Sequence, residues 1–206
     1  MIYPIDDIMK TLNKQTKTMQ NEIKILLRIK DELDIAAKVQ PCPACKEDTE
    51  KLSAFVGAKA YSIKNNSAVD KGSIKALKEV DFINELTDIA IVLSKVIRPF
   101  ARVSKVPEVY ERTLHDDLES NRKVRKHLLM AKRFTAGLRS DDRHFKLTSE
   151  ILGSFIRATE FKLSIDPFSF YIFDRIIRIG YKTKALSAAS RMIITAKTII
   201  DPSRYG

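Results

Sequence analysis

Residues 5–37 have the sequence IDDIMKTLNKQTKTMQNEIKILLRIKDELDIAA, and this stretch decides the fold class. Its seam positions recur in alternating steps of four and three: Thr16 and Lys30 occupy two of them, and the apolar residues at the others are Ile5, Met9, Leu12, Met19, Ile23, Leu26, Leu33 and Ala37. A stripe with this spacing, held over about four heptads, is typical of a long helix that packs in the manner of a coiled coil. Pro41 and Pro43 are expected to end the helix, because the residue before a proline disfavours the helical backbone conformation.

The rest of the chain predicts further helices joined by few loops, because glycine and proline are sparse at 6 and 7 of 206 residues. A second helix, from about residue 47 to the polar break at residues 65–67, forms a helical hairpin with the first. Caps, apolar periodicity and proline or glycine stops predict later helices near residues 73–100, 107–138, 143–156, 167–179 and 184–200. No strand pair is evident. We therefore predict an all-α, single-domain, multi-helix bundle of about six to seven helices, with a long N-terminal helical hairpin.

Positive charge is concentrated in the second half of the chain, whose formal net charge as a whole is +11. Residues 1–94 contain 14 Lys and Arg against 14 Asp and Glu, whereas residues 95–206 contain 23 against 12. Arg28 is the only arginine before residue 95. Because guanidinium groups match phosphate geometry, this segregation predicts a surface that meets an anionic partner. Residues 1–66 then form a neutral hairpin suited to self-association, and residues 73–206 form a basic bundle.

The densest positive charge lies on the predicted fourth helix, where residues 120–139 include seven Lys or Arg and no acidic residue. At about 100° per residue, Arg122, Lys126 and Arg133 share a face opposite Leu128. Such a face can follow a phosphate backbone, with affinity that comes from released counter-ions. A solvated face on a basic protein is the alternative interpretation. The predicted nucleic-acid contacts are Arg122, Lys123, Arg125, Lys126, Lys132, Arg133, Arg139, Arg143 and Lys146.

The sequence lacks the motifs of base-specific nucleic-acid binding, of membrane insertion and of secretion. No helix-turn-helix, zinc-finger, RNP or KH motif is present, so we expect contacts to the backbone phosphates of DNA or RNA. No apolar run approaches the roughly 20 residues that span a bilayer, and no signal-peptide pattern is present. We expect a protein that is not secreted, has no membrane partner, and works in the cytoplasm, in the nucleus or within a virion or nucleoprotein particle.

Cys42-Pro43-Ala44-Cys45 lies at the predicted turn between the first two helices. Two cysteines exclude a secreted disulfide scaffold, and they supply only half of the four ligands of a structural zinc ion. The CPxC turn between heptad-like helices resembles the zinc hooks of SMC-like DNA-repair ATPases; the likeness covers residues 41–45 and their helical setting, and the ATPase head motifs are absent. This resemblance implies that two copies share one zinc ion through Cys42 and Cys45. A pair of small residues or a local disulfide is the alternative, and no other cofactor is predicted.

No P-loop, GxGxxG, HExxH, nucleophile elbow or paired-carboxylate motif is evident, so no catalytic residue is assigned. Four residues separate Arg122 from His127 and again Arg139 from His144. This spacing resembles the Arg-x4–6-His signature of HEPN-domain ribonucleases, which are small all-helical dimers. The chemistry is reasonable, because a histidine can move a proton at neutral pH while an arginine stabilises phosphoryl charge.

The sequence therefore predicts a non-enzymatic, largely sequence-independent nucleic-acid-binding protein that self-associates as a packaging or nucleoprotein subunit. A HEPN-like, metal-independent ribonuclease is the second hypothesis. A structural subunit of a larger assembly, whose basic half docks an acidic protein, is the third. RNA cleavage distinguishes the second hypothesis, and failure to retain nucleic acid at low salt favours the third.

Overall fold

The computed structural model describes residues 5–80 and 108–164, and its regular structure there is entirely helical. The helices are α1 (Ile5–Val39), α2 (Pro43–Lys64), α3 (Lys71–Lys78), α4 (Glu108–Thr135) and α5 (Arg143–Ser164). For these residues the predicted all-α class and the long N-terminal helix are confirmed. The predicted count of six to seven helices is not confirmed, because the helices expected near residues 167–179 and 184–200, and most of the one near 73–100, lie outside the described residues.

The turn between α1 and α2 is built from two prolines and a cysteine cap. α1 ends at Val39, two residues before Pro41, as the proline rule predicts. α2 begins at Pro43 rather than near residue 47, because a proline is favourable in the first helical turn, where its missing N–H costs no hydrogen bond. Cys42 is the N-cap of α2, and its Sγ accepts the backbone N–H of Cys45 at 3.3 Å.

Four long helices contribute to one hydrophobic core. α1 packs against both α2 and α4, and α4 packs against α5. The fully buried side chains include Leu26 and Leu33 of α1, Leu52 and Phe55 of α2, Leu128 of α4 and Leu152 of α5. Burying a side chain of this size stabilises the fold by about 1.5–3 kcal/mol. The arrangement leaves the outer faces of α4 and α5 in solvent, and these faces contain the predicted basic residues.

α1 is packed along only its C-terminal half. The buried residues of α1 repeat at heptad spacing and are Glu22, Leu26, Ile29, Leu33, Ala36 and Ala37. Every residue from 5 to 21 is exposed, including Ile5 at 77% and Leu12 at 51%. We call residues 5–21 the arm; at 1.5 Å per residue it is about 25 Å long. The predicted stripe therefore has the right period, and Leu26, Leu33 and Ala37 are buried as predicted, but Glu22 and Ile29 are buried instead of Ile23 and Lys30. The stripe is also covered only from about residue 22 onward.

Asp142 fixes the turn between α4 and α5. Its carboxylate accepts the backbone N–H of His144 at 2.9 Å and pairs with Lys59 of α2 at 2.8 Å. Burial raises the pKa of Asp142, but the hydrogen bonds from Lys59 and from the backbone N–H groups of His144 and Phe145 outweigh burial and leave the pKa lowered. The turn predicted from residue 140 to residue 142 is thus present, and its acidic end caps α5.

Candidate nucleic-acid interface

α4 turns one face to the core and the other to solvent. The buried residues of its inner face are Asn121, Val124, Leu128 and Ala131. Arg122, Lys126 and Arg133 are exposed, and at about 100° per residue they lie within about 40° of one another around the helix. We call these three residues the α4 basic stripe. It extends about 16 Å along the helix at 1.5 Å per residue.

The charge of the α4 basic stripe is not compensated within the described part of the chain. No described carboxylate oxygen lies within 4.0 Å of Arg122, Lys126 or Arg133. The side chains point away from the core, because the buried face of α4 is on the other side of the helix. Three cations in one row are therefore available to an anion from outside the molecule.

Three other predicted contacts are engaged inside the fold instead. Their ion pairs are Lys123 Nζ–Glu119 Oε1 at 2.9 Å, Arg125 Nη2–Glu160 Oε1 at 2.6 Å and Arg139 Nη2–Glu22 Oε2 at 3.1 Å. Sequence analysis missed the acidic partners Glu160 and Glu22, which lie 35 and 117 residues from Arg125 and Arg139. No local pattern signals such pairs, because folding alone brings the residues together.

Lys132 of α4 and Arg143 and Lys146 of α5 complete the predicted set. All three are exposed, and no described carboxylate lies within ion-pair distance of them. Arg143 and Lys146 occupy the first turn of α5, whereas Lys132 lies where α4 meets α5. Six of the nine predicted contacts are therefore uncompensated within the described residues, and the α4 basic stripe is their most regular part.

Cys42 and Cys45 lie in the hydrophobic core, at 0% and 5% exposure, and no disulfide joins them. A zinc ion shared between two copies requires sulfur atoms at the surface, so the zinc-hook hypothesis requires this turn to open. Among residues 5–80 and 108–164, no group of three or more His, Cys, Asp and Glu side chains is arranged to hold a metal ion.

The first Arg–His spacing places its two members on different sides of α4. Arg122 faces solvent, and His127 follows about 140° further around the helix. The Nδ1 atom of His127 lies 2.5 Å from the Glu32 Oε2 atom of α1, in a half-buried contact between the two helices. The histidine therefore links α4 to α1.

Arg139, from the second Arg–His spacing, lines a polar cleft of about 280 Å³. The cleft is lined by Glu22, Lys59, Ile63, Arg139, Asp141 and Asp142. Its charges pair internally, because Arg139 pairs with Glu22 and Lys59 pairs with Asp142. His144 instead packs its ring against Phe55, with centroids 5.9 Å apart.

Comparison with known proteins finds no matching family model, no matching curated protein and no matching solved structure. Of the five helices described above, none combines the length and the apolar character needed to cross a bilayer. Function must therefore be inferred from the geometry and the charge of the described residues.

Proposed function

We propose that this protein binds DNA or RNA through backbone phosphates, without base-specific recognition and without catalysis, and self-associates as a packaging or nucleoprotein subunit. The observation that supports this proposal is the α4 basic stripe. Arg122, Lys126 and Arg133 are exposed on one face of a helix, and no described carboxylate neutralises them. Their opposite face is anchored in the core by Leu128 and its neighbours.

Acids close to this surface are already used within the fold. Glu160 of α5 pairs with Arg125 of α4, and Glu22 of α1 pairs with Arg139 of the turn between α4 and α5. The stripe can therefore bind an external anion without breaking an ion pair of the described residues. Duplex DNA carries one charge per roughly 1.7 Å of its axis, so a row of cations about 16 Å long passes several phosphates.

Binding of this kind has a recognisable dependence on salt. Each phosphate contact releases condensed counter-ions, and the slope of log K against log salt concentration is about −0.9 per contact on duplex DNA and about −0.7 on single strands. Because phosphates are the same at every position, the affinity should hardly depend on base sequence.

Self-association is assigned to the arm, with a second copy of this chain as the partner. Ile5, Ile8 and Leu12 continue the heptad spacing of the packed half of α1 but are exposed by 77%, 48% and 51%. Antiparallel pairing would bring the acidic first turn of one arm near Lys14 and Lys17 of the other. Parallel pairing would place the acidic turns side by side, and like charges at that distance repel.

The binding proposal is tested by neutralising the stripe with Arg122→Gln, Lys126→Gln and Arg133→Gln in one chain. We expect the affinity for a labelled single-stranded RNA and a duplex DNA, measured by fluorescence anisotropy at low salt, to fall at least tenfold for both.

The matched control removes the same charge from three exposed lysines of the neutral hairpin, with Lys24→Gln, Lys38→Gln and Lys64→Gln. This control should bind like the wild type. An unchanged affinity in the stripe variant would show that the surface has been misplaced. Failure of the wild type to bind either polymer at low salt would favour a structural subunit that docks an acidic protein.

The same samples test the ribonuclease hypothesis. Denaturing gels of the RNA after incubation should show it intact, because Arg122 faces solvent while His127 contacts Glu32, and because Arg139 pairs with Glu22 while His144 packs on Phe55. Cleavage by the wild type that is lost in His127→Ala or His144→Ala would replace the proposal with an enzymatic function.

A further inference from the structure

A second cationic site lies where α4 meets α5, beside the α4 basic stripe. We infer that Lys132 and Arg157, whose side chains converge over Gly153, bind one phosphate group. This inference rests on the proposed function in that a nucleic-acid backbone is the expected source of the phosphate. Lys132 is one of the contacts predicted from the sequence. Gly153 carries no charge, so a charge pattern could not point to it.

Gly153 brings the two cations together. It is buried in α5, and a Cβ atom built on it would lie 3.2 Å from Lys132 Nζ and 3.8 Å from Arg157 Nη1. Together these two distances place the cationic nitrogens no more than about 7 Å apart. Charge-assisted N–H bonds to phosphate oxygens have N···O distances of about 2.7–2.9 Å, so a single phosphate can accept from both.

The acids around this site leave its charge uncompensated. Glu160, one turn along α5 from Arg157, is held by Arg125 at 2.6 Å. Glu150, on the same side of α5, is exposed and is not within 4.0 Å of either cation. The described hydrogen bond of Arg157 goes to the neutral Ser154 Oγ at 3.0 Å. Two like charges that converge without an acid repel each other, and a bound anion relieves that repulsion.

Glycine at position 153 allows the Lys132 amine to lie close to the α5 backbone. Glycine is less favourable than alanine inside a helix, so its presence in α5 has a local cost that this close approach explains. Gly57 of α2 provides the comparison, because a Cβ there would meet only carbon atoms of Lys30, at 3.3 and 3.4 Å. At Gly153 the nearest atoms include the two charged nitrogens themselves.

Gly153→Ala tests the site because its Cβ would displace the Lys132 amine without removing a charge. The probe is inorganic phosphate, titrated into the ¹⁵N-labelled full chain at constant ionic strength, and the readout is the backbone amide of Ser154. We expect saturable shifts in the wild type, and an affinity at least tenfold lower in Gly153→Ala and in Lys132→Gln. Gly57→Ala, the matched control, should bind phosphate like the wild type.

Folding is checked by thermal unfolding, and both glycine variants should remain folded, because alanine favours helix and each new Cβ meets only flexible lysine or arginine side chains. If Gly153→Ala does not fold, Lys132→Gln decides, since it changes only an exposed side chain. Unsaturable shifts in the wild type, or an unchanged affinity in the folded variant, would overturn the inference.

A single-stranded oligonucleotide then identifies the source of the phosphate. Displacement of inorganic phosphate by the oligonucleotide supports a nucleic-acid backbone. If phosphate binding is saturable but no oligonucleotide binds, the site binds a small phosphorylated ligand, and the proposed function is wrong. If an oligonucleotide binds but phosphate binding is not saturable, the phosphate site is wrong, and the proposed function is still supported.

Discussion

Asp48 of α2 combines burial with an incomplete set of hydrogen bonds. Its side chain is 7% exposed, and Oδ2 is buried without a hydrogen-bond partner among the described residues. Burial raises the pKa of Asp48 from 3.8 to about 6; Lys51, 3.9 Å from Oδ1, lowers it in part, and Glu47 raises it slightly. A carboxyl with this environment binds its proton more tightly in the folded chain than in the unfolded chain.

The raised pKa of Asp48 predicts how stability changes with pH. Because the folded state holds the proton of Asp48 more tightly, protonation of this carboxyl stabilises the folded state. This stabilisation is complete below about pH 4 and is lost as pH rises towards about 6. Asp48→Asn should therefore raise the free energy of unfolding by about 2 kcal/mol more at pH 7.5 than at pH 4. Urea unfolding at the two pH values measures this difference.

Asp31→Asn serves as the control for Asp48, because Asp31 is an exposed aspartate of α1. Its effect on the free energy of unfolding should be small and equal at both pH values. The free energy of unfolding of the wild type is compared with that of Asp48→Asn at each pH. If the difference is the same at pH 4 and pH 7, this carboxyl is not desolvated as described.

Residues of the basic surface differ in how far the sequence could predict them. The 100° helical step was enough to place Arg122, Lys126 and Arg133 on the solvent face of α4. It gave no information on Arg125 or Arg139, because exposed position and charge do not reveal an acidic partner on another helix. The binding role of all these residues stays a prediction.

Among the helices, the arm of α1 gives the clearest prediction, which concerns self-association. Leu12→Glu places a charge in the middle of its apolar stripe and should convert a self-associated wild type into monomers, as measured by sedimentation velocity. Thermal unfolding of the core should be unchanged, because residues 5–21 bury no side chain.

Thr18→Glu is the matched control for Leu12→Glu, since Thr18 is exposed on the far side of the arm from the stripe. It should sediment like the wild type. A wild type that remains monomeric at high protein concentration would contradict pairing through the arm, whatever the variants do.

The helices also show what periodicity can and cannot predict. The steps of four and three in residues 5–37 identified α1 and its apolar side, and the prolines correctly marked its end. Periodicity does not reveal how far a neighbouring helix extends, so it could not show that the stripe is covered only in its second half. The start of α2 was placed too late because both prolines were assigned to the end of α1, whereas Pro43 occupies the first turn of α2.

At the scale of the whole molecule, the described chain separates a packed core from two outward-facing features. The core ties α1, α2, α4 and α5 together through apolar side chains and a few cross-helix ion pairs. The arm extends from the neutral hairpin, and the α4 basic stripe lies on the second half of the chain. The proposed self-association and the proposed phosphate binding would therefore use different surfaces, and we expect that mutations can remove them separately.

The salt dependence of binding tests phosphate contact by the α4 basic stripe most directly. For duplex DNA, log K should fall linearly with log salt concentration, with equal slopes for two unrelated sequences. In the variant with Arg122→Gln, Lys126→Gln and Arg133→Gln, the slope should become shallower by about 2–3, because each lost phosphate contact removes about 0.9. A slope that is the same in the variant and the wild type would contradict contact between this stripe and the nucleic-acid backbone.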